Sequence, residues 1–521
     1  MMIKKRNNIY LDEIYANLPR MLSLYNNDQL SPFYGVGDRD FWGWKTKDFI
    51  NGTYQGITHG LSLLIMNDLL PDYLERSYVI ELIDRVFNGT KSITRKDGSL
   101  EEAYPFEKSF CVTSLIAYDL TETIINLKPE ISIQKYQYYL SVVEPLINFT
   151  INNNEHHGII SNHLASAAAA LISWEKLSGA SMPKAKELIN QILKHQSEEG
   201  WFKEYSGADI GYQTLASSYL SSYEKRHPSA KLNSFLKKSF EFLSNFIHPD
   251  GGIGGIYGAR NTEFYFPDGF EYFANKDNNA KAISFFMRES IKEKKCVNLS
   301  SVDAPNLIPM FNSYCRAALL NMHNSLDETY QLLPCQKNKT VFIFYEDAGF
   351  VVYNDANKYC VISTNKGGAL YIFDKKLKYS KYDFGALYQN TRHNERYFST
   401  QANETAAVVK VDYDKKIIEV ICPLYEYKKM YPTPLKYILL RCLNLTLMRF
   451  HFLNEIMKKI LVRCVIKSKS APIGLNRRII SFSERIKIND EYEGKHLSLI
   501  LVKDYNLFYS IHMASQSYWK R

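Results

Sequence analysis

The sequence predicts a multidomain protein in which an (α/α) toroid over residues 1–330 is followed by an antiparallel β-sandwich over residues 331–521. In the first part, apolar residues recur at spacings of three and four, which is typical of amphipathic helices. From about Lys337 they occur in short β-branched and aromatic runs between turn residues, which is typical of strands. A chain of 521 residues is long enough to build both hydrophobic cores.

Similar glycine-containing loops precede successive helices in the first part of the chain. Their glycines are separated by 60, 42 and 51 residues and are Gly98, Gly158, Gly200 and Gly251. A loop and helix pair that recur together are the signature of a helical repeat array. If the pairs curve into a ring, all loops open on one face. The sequence therefore predicts an incomplete barrel of helical hairpins with a cleft lined by these loops.

The second part contains seven runs with strand character, namely TVFIFY, AGFVVYN, KYCVIST, GALYIFD, AAVVKVDY, KIIEVIC and SLILVK. Turn residues separate them, which predicts an antiparallel sandwich. A basic segment at about residues 431–470 interrupts this pattern and is predicted to be a helical insertion.

The net charge of +9 is concentrated in this insertion, because residues 436–469 contain eight Lys or Arg and a single acid. The rest of the chain is nearly neutral, which argues against nucleic-acid binding. On a helical wheel, Arg441 and Arg449 lie on one side, and Leu439 and Leu443 lie opposite. Such a helix can bind an anionic membrane surface through residues 436–469. The alternative is a helix packed on the sandwich with a solvated basic face.

The N-terminal residues and the cysteines indicate in which cellular compartment the protein is expected. The first residues show no apolar signal region or cleavage site, and no apolar stretch reaches about 18 residues. The eight cysteines never form a CxxC pair, so reduced thiols and no zinc site are expected. We therefore expect a cytoplasmic protein without metal or cofactor, with peripheral contact at the inner face of the cell membrane as a further expectation.

The strongest chemical pattern is Asn162-His163 at the start of an alanine-rich helix, with Tyr212 at the equivalent point of the next repeat. In a toroid these points face one cleft. The amide of Asn162 can hydrogen-bond a uronate carboxylate and reduce its charge. His163 and Tyr212 can then share the roles of base and acid in removing the neighbouring proton.

These residues, with the following β-sandwich, resemble the heparinase II/III-like and alginate-lyase polysaccharide lyases. The resemblance implies that Asn162 neutralises the uronate and that Tyr212 and His163 move protons during β-elimination. Gly258-Ala-Arg-Asn-Thr262 resembles the family's arginine-bearing cleft loop, and Phe41-Trp-Gly-Trp44 with Asn51-Gly-Thr-Tyr-Gln55 looks like its entry helix. The implied substrate contacts are Arg260, Tyr265, Gln213, Trp42, Trp44, Tyr54 and Gln55.

The chain also departs from this pattern. Many relatives carry a further catalytic or metal-binding histidine in a glycine-rich strand turn, whereas the matching stretch here, residues 365–373, has none. His393 is the nearest candidate. Without a signal segment, surface-polysaccharide assembly fits better than degradation, and the substrate is then an acidic polysaccharide or a lipid-linked glycan.

Each assignment has a structural alternative. Asn162 can simply cap its helix, Tyr212 can be a packing residue, and Arg260 can pair with Glu263 or Asp268. Three functions also stay open: a lyase, a uronate C5-epimerase that returns the proton to the other face, and a catalytically inactive glycan-binding scaffold.

Overall fold

The structure is a computed structural model. It describes residues 8–38, 50–102, 104–156, 158–205, 207–323, 330–391, 396–400, 408–427, 433–450, 452–454, 456, 472–483, 485–494 and 499–502. Three residues singled out from the sequence, Trp42, Trp44 and His393, lie outside the described residues.

The N-terminal part is built from helical hairpins, and its described residues form twelve helices. In chain order these are α1 (Ile9–Leu22), α2 (Ile57–Met66), α3 (Arg76–Ile93), α4 (Phe110–Leu127), α5 (Ile133–Asn152), α6 (Ser161–Ser178), α7 (Pro183–Lys194), α8 (Ile210–Arg226), α9 (Ala230–Ser244), α10 (Asp268–Phe273), α11 (Asn278–Lys292) and α12 (Ala304–His323). Even-numbered helices contact one another around an inner ring, and each odd-numbered helix packs outside it. The predicted (α/α) toroid is confirmed.

The inner ring is closed, although the sequence predicts an incomplete barrel. The last inner helix, α12, packs against the first, α2, because Asn312 bridges them. Its side-chain oxygen accepts from the Gly60 amide at 3.0 Å, and its nitrogen donates to the Gly56 carbonyl at 2.9 Å. The six-residue helix α10 completes the ring between α8 and α12.

Three of the four anchor glycines share one geometry, whereas Gly158 has a φ of 123° and open space where a Cβ would lie. Gly98, Gly200 and Gly251 all adopt positive φ, between 86° and 99°, and each amide donates to the carbonyl three residues earlier. A Cβ at Gly98 would lie 2.1 Å from the Pro145 carbonyl oxygen, and one at Gly200 would lie 2.5 Å from that of Lys238. Only glycine therefore fits where each loop touches the neighbouring outer helix.

The C-terminal part is a β-sandwich of two antiparallel sheets. Its strands are β1 (Val341–Tyr345), β2 (Phe350–Asn354), β3 (Lys358–Ser363), β4 (Ala369–Asp374), β5 (Tyr379–Asp383), β6 (Leu387–Asn390), β7 (Tyr397–Ser399), β8 (Val408–Asp412), β9 (Ile417–Tyr427), β10 (Gly474–Phe482), β11 (Ile486–Glu493) and β12 (Leu499–Leu501). The first sheet contains β1 to β5 in chain order. The second has the order β11-β10-β9-β7-β6-β12, with β8 also paired to β9.

The first sheet is buried on both faces, which explains the continuous apolar runs of β2 and β3. On one face Val351 and Ile362 pack against Ile418 and Ile480 of the second sheet. The other face joins the core of the toroid through side chains such as Val352. Two tyrosines of this face also bond the toroid, since the Tyr359 hydroxyl donates to the Asn245 carbonyl and that of Tyr371 donates to Asp250.

The predicted helical insertion is described only in part. Helix α13 (Pro434–Leu445) is followed by a single 3₁₀ turn over Leu447–Arg449. A single continuous helix through Arg441 and Arg449 is therefore wrong, because the helix ends at Leu445. Within the described segments, no helix is long and apolar enough to cross a membrane.

Candidate active site

The candidate site lies at the N-terminal ends of the inner helices α6 and α8, where the repeat loops meet. Asp209 caps α8, accepting from the Tyr212 amide at 3.2 Å. Its second oxygen accepts from the Arg260 amide at 2.7 Å. This one carboxylate therefore fixes the start of the Tyr212 helix relative to the Arg260 loop.

Arg260 carries a buried guanidinium that is not neutralised by any described acid. The residue is 6% exposed, and its Nε and Nη2 atoms are buried without a hydrogen-bond partner. The guanidinium carbon lies 3.9 Å from the ring centroid of Tyr205, a cation–π contact. The alternative pairing with Asp268 is not seen, because Asp268 bonds Arg316 at 2.7 Å. Arg260 is thus held ready for a ligand acceptor.

Tyr205 is the residue around which the other candidates are grouped. Its ring contacts His163 edge-on, with centroids 6.2 Å apart, and it carries Arg260 on its face. Its φ of 56° is left-handed, a conformation that non-glycine residues rarely adopt and that is common at functional sites. Tyr205 is not among the residues predicted from the sequence. The signal that could have identified Tyr205 is its position in the third repeat loop, eight residues before Gln213.

Tyr212 is mostly buried, with 7% exposed, and its ring packs edge-on against Phe264 at 5.2 Å. Its hydroxyl has no hydrogen-bond partner among the described residues. Burial raises the pKa of the Tyr212 hydroxyl well above its usual value, and the nearby Arg260 opposes this only in part. The phenol is therefore protonated at neutral pH and available as a proton donor.

His163 forms a pair with Glu155. Its Nδ1 atom lies 2.7 Å from Oε2 of Glu155, and the carboxylate is nearly buried while the imidazole is partly exposed. A carboxylate at Nδ1 favours the tautomer that is protonated there and leaves Nε2 as an acceptor. The pairing thus suits His163 for the role of a base, a role that the sequence left shared with Tyr212.

Asn162 does not cap its helix with its side chain. Instead, Glu204 of the next repeat loop accepts from both the Asn162 amide nitrogen at 2.9 Å and the side-chain Nδ2 at 2.7 Å. Glu204 therefore caps α6 and holds Asn162 in place. One proton of the Asn162 side-chain amide is engaged, and the second remains for a ligand.

Glu204 should make the stability of the protein depend on pH. Burial raises the pKa of its carboxyl to about 8, although both bonds from Asn162 favour the charged form. In the unfolded chain the group titrates near 4.3. The folded state thus binds more protons between these values, so stability falls as pH rises from about 4.3 through 8.

The substitution Glu204→Gln removes this titration. We expect the difference in melting temperature, variant minus wild type, to increase by a few degrees as the pH is raised from mildly acidic to mildly alkaline. The exposed Glu198→Gln is the matched control and should follow the wild type. Parallel pH profiles for Glu204→Gln and the wild type would contradict the assignment.

The sandwich contributes a buried lysine to the same loop. Lys366, in the turn between β3 and β4, donates to the carbonyls of Ile256 and Gly258 and to the side chain of Asn261. Burial lowers the pKa of this lysine to about 7. It lies in the glycine-rich stretch where the sequence analysis looked for a histidine. The lysine clamps the loop that carries Arg260.

In the structure, four of the predicted substrate contacts lie in the interior, where they pack against or hydrogen-bond other parts of the protein. Gln213 donates to Ser239 at 2.7 Å, and Gln55 accepts from the Gly37 amide at 2.8 Å, so both amides hold neighbouring segments. Tyr265 is fully buried beside Phe270, and Tyr54 is 1% exposed in a 3₁₀ helix. The structure therefore groups Asn162, His163, Tyr212 and Arg260 but does not bring these four residues to them.

Carboxylates are numerous around the site. Glu102, Glu107, Glu155 and Glu204 all act on Cys111, whose pKa is raised well above its usual value by burial first and by these charges next. Within the described ranges, no three His, Cys, Asp or Glu side chains are arranged to hold a metal ion.

A cavity of about 840 Å³ opens at the opposite end of the ring, between the C-terminal halves of the inner helices. Both of its arginines are already paired with acids, Arg226 with Glu122 and Arg316 with Asp268. His59, also in its lining, bonds Asp119 at 2.9 Å, and burial lowers the pKa of its imidazole well below the usual value. The guanidinium of Arg260, which is buried without a partner at Nε and Nη2, and the phenol of Tyr212 are at the other end, which we therefore take as the candidate active site.

Comparison with solved structures finds similar folds in two lyases. Heparinase III has a TM-score of 0.52 and 13% identity over 94% of this chain and 71% of its own. Chondroitin AC lyase of Streptomyces coelicolor A3 has a TM-score of 0.51 and 9% identity over 80% of this chain and 66% of its own. No protein-family model matches the sequence, and no curated protein matches it. The fold is thus a toroid with an antiparallel β domain, like that of these two lyases.

Proposed function

We propose that this protein is a glycan-processing enzyme that removes the proton beside a uronate carboxylate and completes a β-elimination. The observation that carries the proposal is the unpaired, buried guanidinium of Arg260 next to the free hydroxyl of Tyr212. The lyase folds of heparinase III and chondroitin AC lyase support it.

An acidic ligand explains the state of Arg260. A buried cation without an ion-pair partner costs free energy, of which the Tyr205 ring face recovers about 2 kcal/mol. A carboxylate can bond a guanidinium in a bidentate manner and supplies the missing charge. Arg260 therefore takes the leading role in neutralising the uronate. Asn162, held by Glu204, adds its remaining N–H group.

The proton transfers follow from the two remaining side chains. His163 accepts the C5 proton at Nε2, because its Nδ1 is bonded to Glu155. The electron pair of the C5–H bond forms the C4–C5 double bond as the C4–O bond breaks. Tyr212, whose pKa is raised by burial, donates its proton to the departing oxygen.

The surrounding carboxylates restrict the substrate. Glu102 acts on Tyr205 and Cys111, and Glu155 acts on Cys111, so the surroundings of Arg260 are not strongly basic. A densely sulfated polymer would be repelled by these acids. We therefore propose an unsulfated glycan in which a uronate alternates with neutral or amino sugars.

The test is incubation of the purified protein with a panel of uronate polysaccharides in deuterated water, followed by mass spectrometry of the products. Unsaturated ends with cleavage would support elimination. Deuterium at C5 without cleavage would assign the epimerase function instead. Binding without any chemical change would assign the scaffold function.

A further inference from the structure

The helix α13 presents its apolar face to solvent. Leu435, Ile438 and Leu439 are 76%, 61% and 59% exposed, and Leu445 is also exposed. Their spacing places them on one side of the helix. No residue of α13 is buried. Among the described residues, no element therefore covers this side of α13.

The exposed apolar surface continues beyond the helix and is attached to the protein. Phe450 and Phe452 are 65% and 74% exposed, whereas Met448 between them and the helix is fully buried. The side chain of Asn454 donates to the carbonyl of Phe106. The surface is therefore held against the loop that precedes α4.

The charged residues within the segment 433–450 are all basic. They are Lys436, Arg441 and Arg449, which accompany the exposed apolar surface. Lys436 and Arg441 flank the apolar side of α13, where long basic side chains can reach lipid headgroups. In a symmetric contact between two copies, the same patch would meet itself and bring Lys436 and Arg449 of one copy towards those of the other. The surface therefore fits an anionic lipid bilayer better than a second copy.

We propose that α13, together with the exposed side chains of Phe450 and Phe452, docks on an anionic membrane, with α13 lying in the plane of the headgroups. Twelve residues of helix extend about 18 Å, too short to span the hydrocarbon core. Phe106, to which the exposed surface is attached, belongs to the loop of Glu102 at the mouth of the candidate site. Docking therefore places that mouth at the lipid surface. If the proposed function holds, a lipid-linked glycan would reach the cleft directly.

The experiment is flotation of the full chain with vesicles of phosphatidylcholine alone or mixed with phosphatidylserine. We expect the wild type to bind the mixed vesicles, more weakly at high salt, and to bind the neutral ones poorly. The double substitution Ile438→Glu with Leu439→Glu should weaken binding about tenfold or more. The matched control is Leu377→Glu, because Leu377 is 75% exposed on a distant hairpin of the sandwich.

Three results would overturn the proposal. One is failure of the wild type to float with either vesicle, and another is flotation of the double variant to the same extent as the wild type. A dimer in solution that the double variant abolishes would assign the surface to a second copy instead. Circular dichroism verifies that each variant is folded. Turnover of a soluble glycan should be unchanged in the double variant, so a failure of docking is distinguishable from a failure of the proposed function.

Discussion

The substitution Tyr212→Phe is expected to lower the turnover of a uronate glycan by about 10²–10⁴-fold, the usual contribution of a general acid. The fold should be unaffected, because the hydroxyl bonds no described residue and the ring keeps its contact with Phe264. The measurement is the initial rate of product formation together with the melting temperature of each protein.

A second tyrosine provides the matched control. Tyr314 is also fully buried, and its hydroxyl has no hydrogen-bond partner in the described part of the chain. It lies on α12, where its ring contacts Tyr10 rather than the candidate site. Tyr314→Phe should keep wild-type turnover. If Tyr212→Phe also keeps it, Tyr212 is a packing residue and the proposed proton donor is wrong.

The substitution Arg260→Met is expected to separate activity from stability. Loss of a charged contact with the uronate should reduce turnover about 10²-fold or more. Without substrate, the melting temperature should stay the same or rise, because the variant no longer buries an uncompensated charge. The measurement combines kinetics with thermal unfolding in the absence of ligand.

Arg316→Met is the control for this prediction. The Arg316 side chain is 13% exposed, and its guanidinium bonds Asp268 at 2.7 Å and Ser218 at 2.9 Å. Breaking a buried ion pair leaves its partner uncompensated and should cost about 3–5 kcal/mol. A loss of stability in Arg260→Met as large as in Arg316→Met would mean that Arg260 supports the fold rather than a ligand.

The fold could be predicted from the sequence because its signals are local and periodic. The glycine-containing loops indicate the hairpin repeat. Three of them share one turn geometry, because each touches an outer helix. The short apolar runs after Lys337 predict the β-sandwich. Closure of the ring could not be predicted, since it depends on Asn312 meeting Gly60, which is 252 residues away.

The candidate site could be predicted only in part, because several of its contacts join residues that are far apart in the sequence. Asn162, His163 and Tyr212 stand at helix starts, a position that the sequence shows directly. The bond from Asn162 to Glu204 spans 42 residues, and Lys366 reaches Asn261 across 105 residues from another domain. No local pattern encodes such pairings. Gln213 directly follows Tyr212, yet it points into the core, because consecutive helical residues face different sides.

The central claim is that the Arg260 and Tyr212 cleft performs β-elimination on a uronate. The most direct measurement is the ultraviolet absorbance of the unsaturated sugar while the protein is incubated with an unsulfated uronate glycan, beside the Tyr212→Phe and Tyr314→Phe variants. We predict a rise in absorbance for the wild type and Tyr314→Phe, and none for Tyr212→Phe. An equal rise in all three proteins, or cleavage that yields only saturated ends, would contradict the claim.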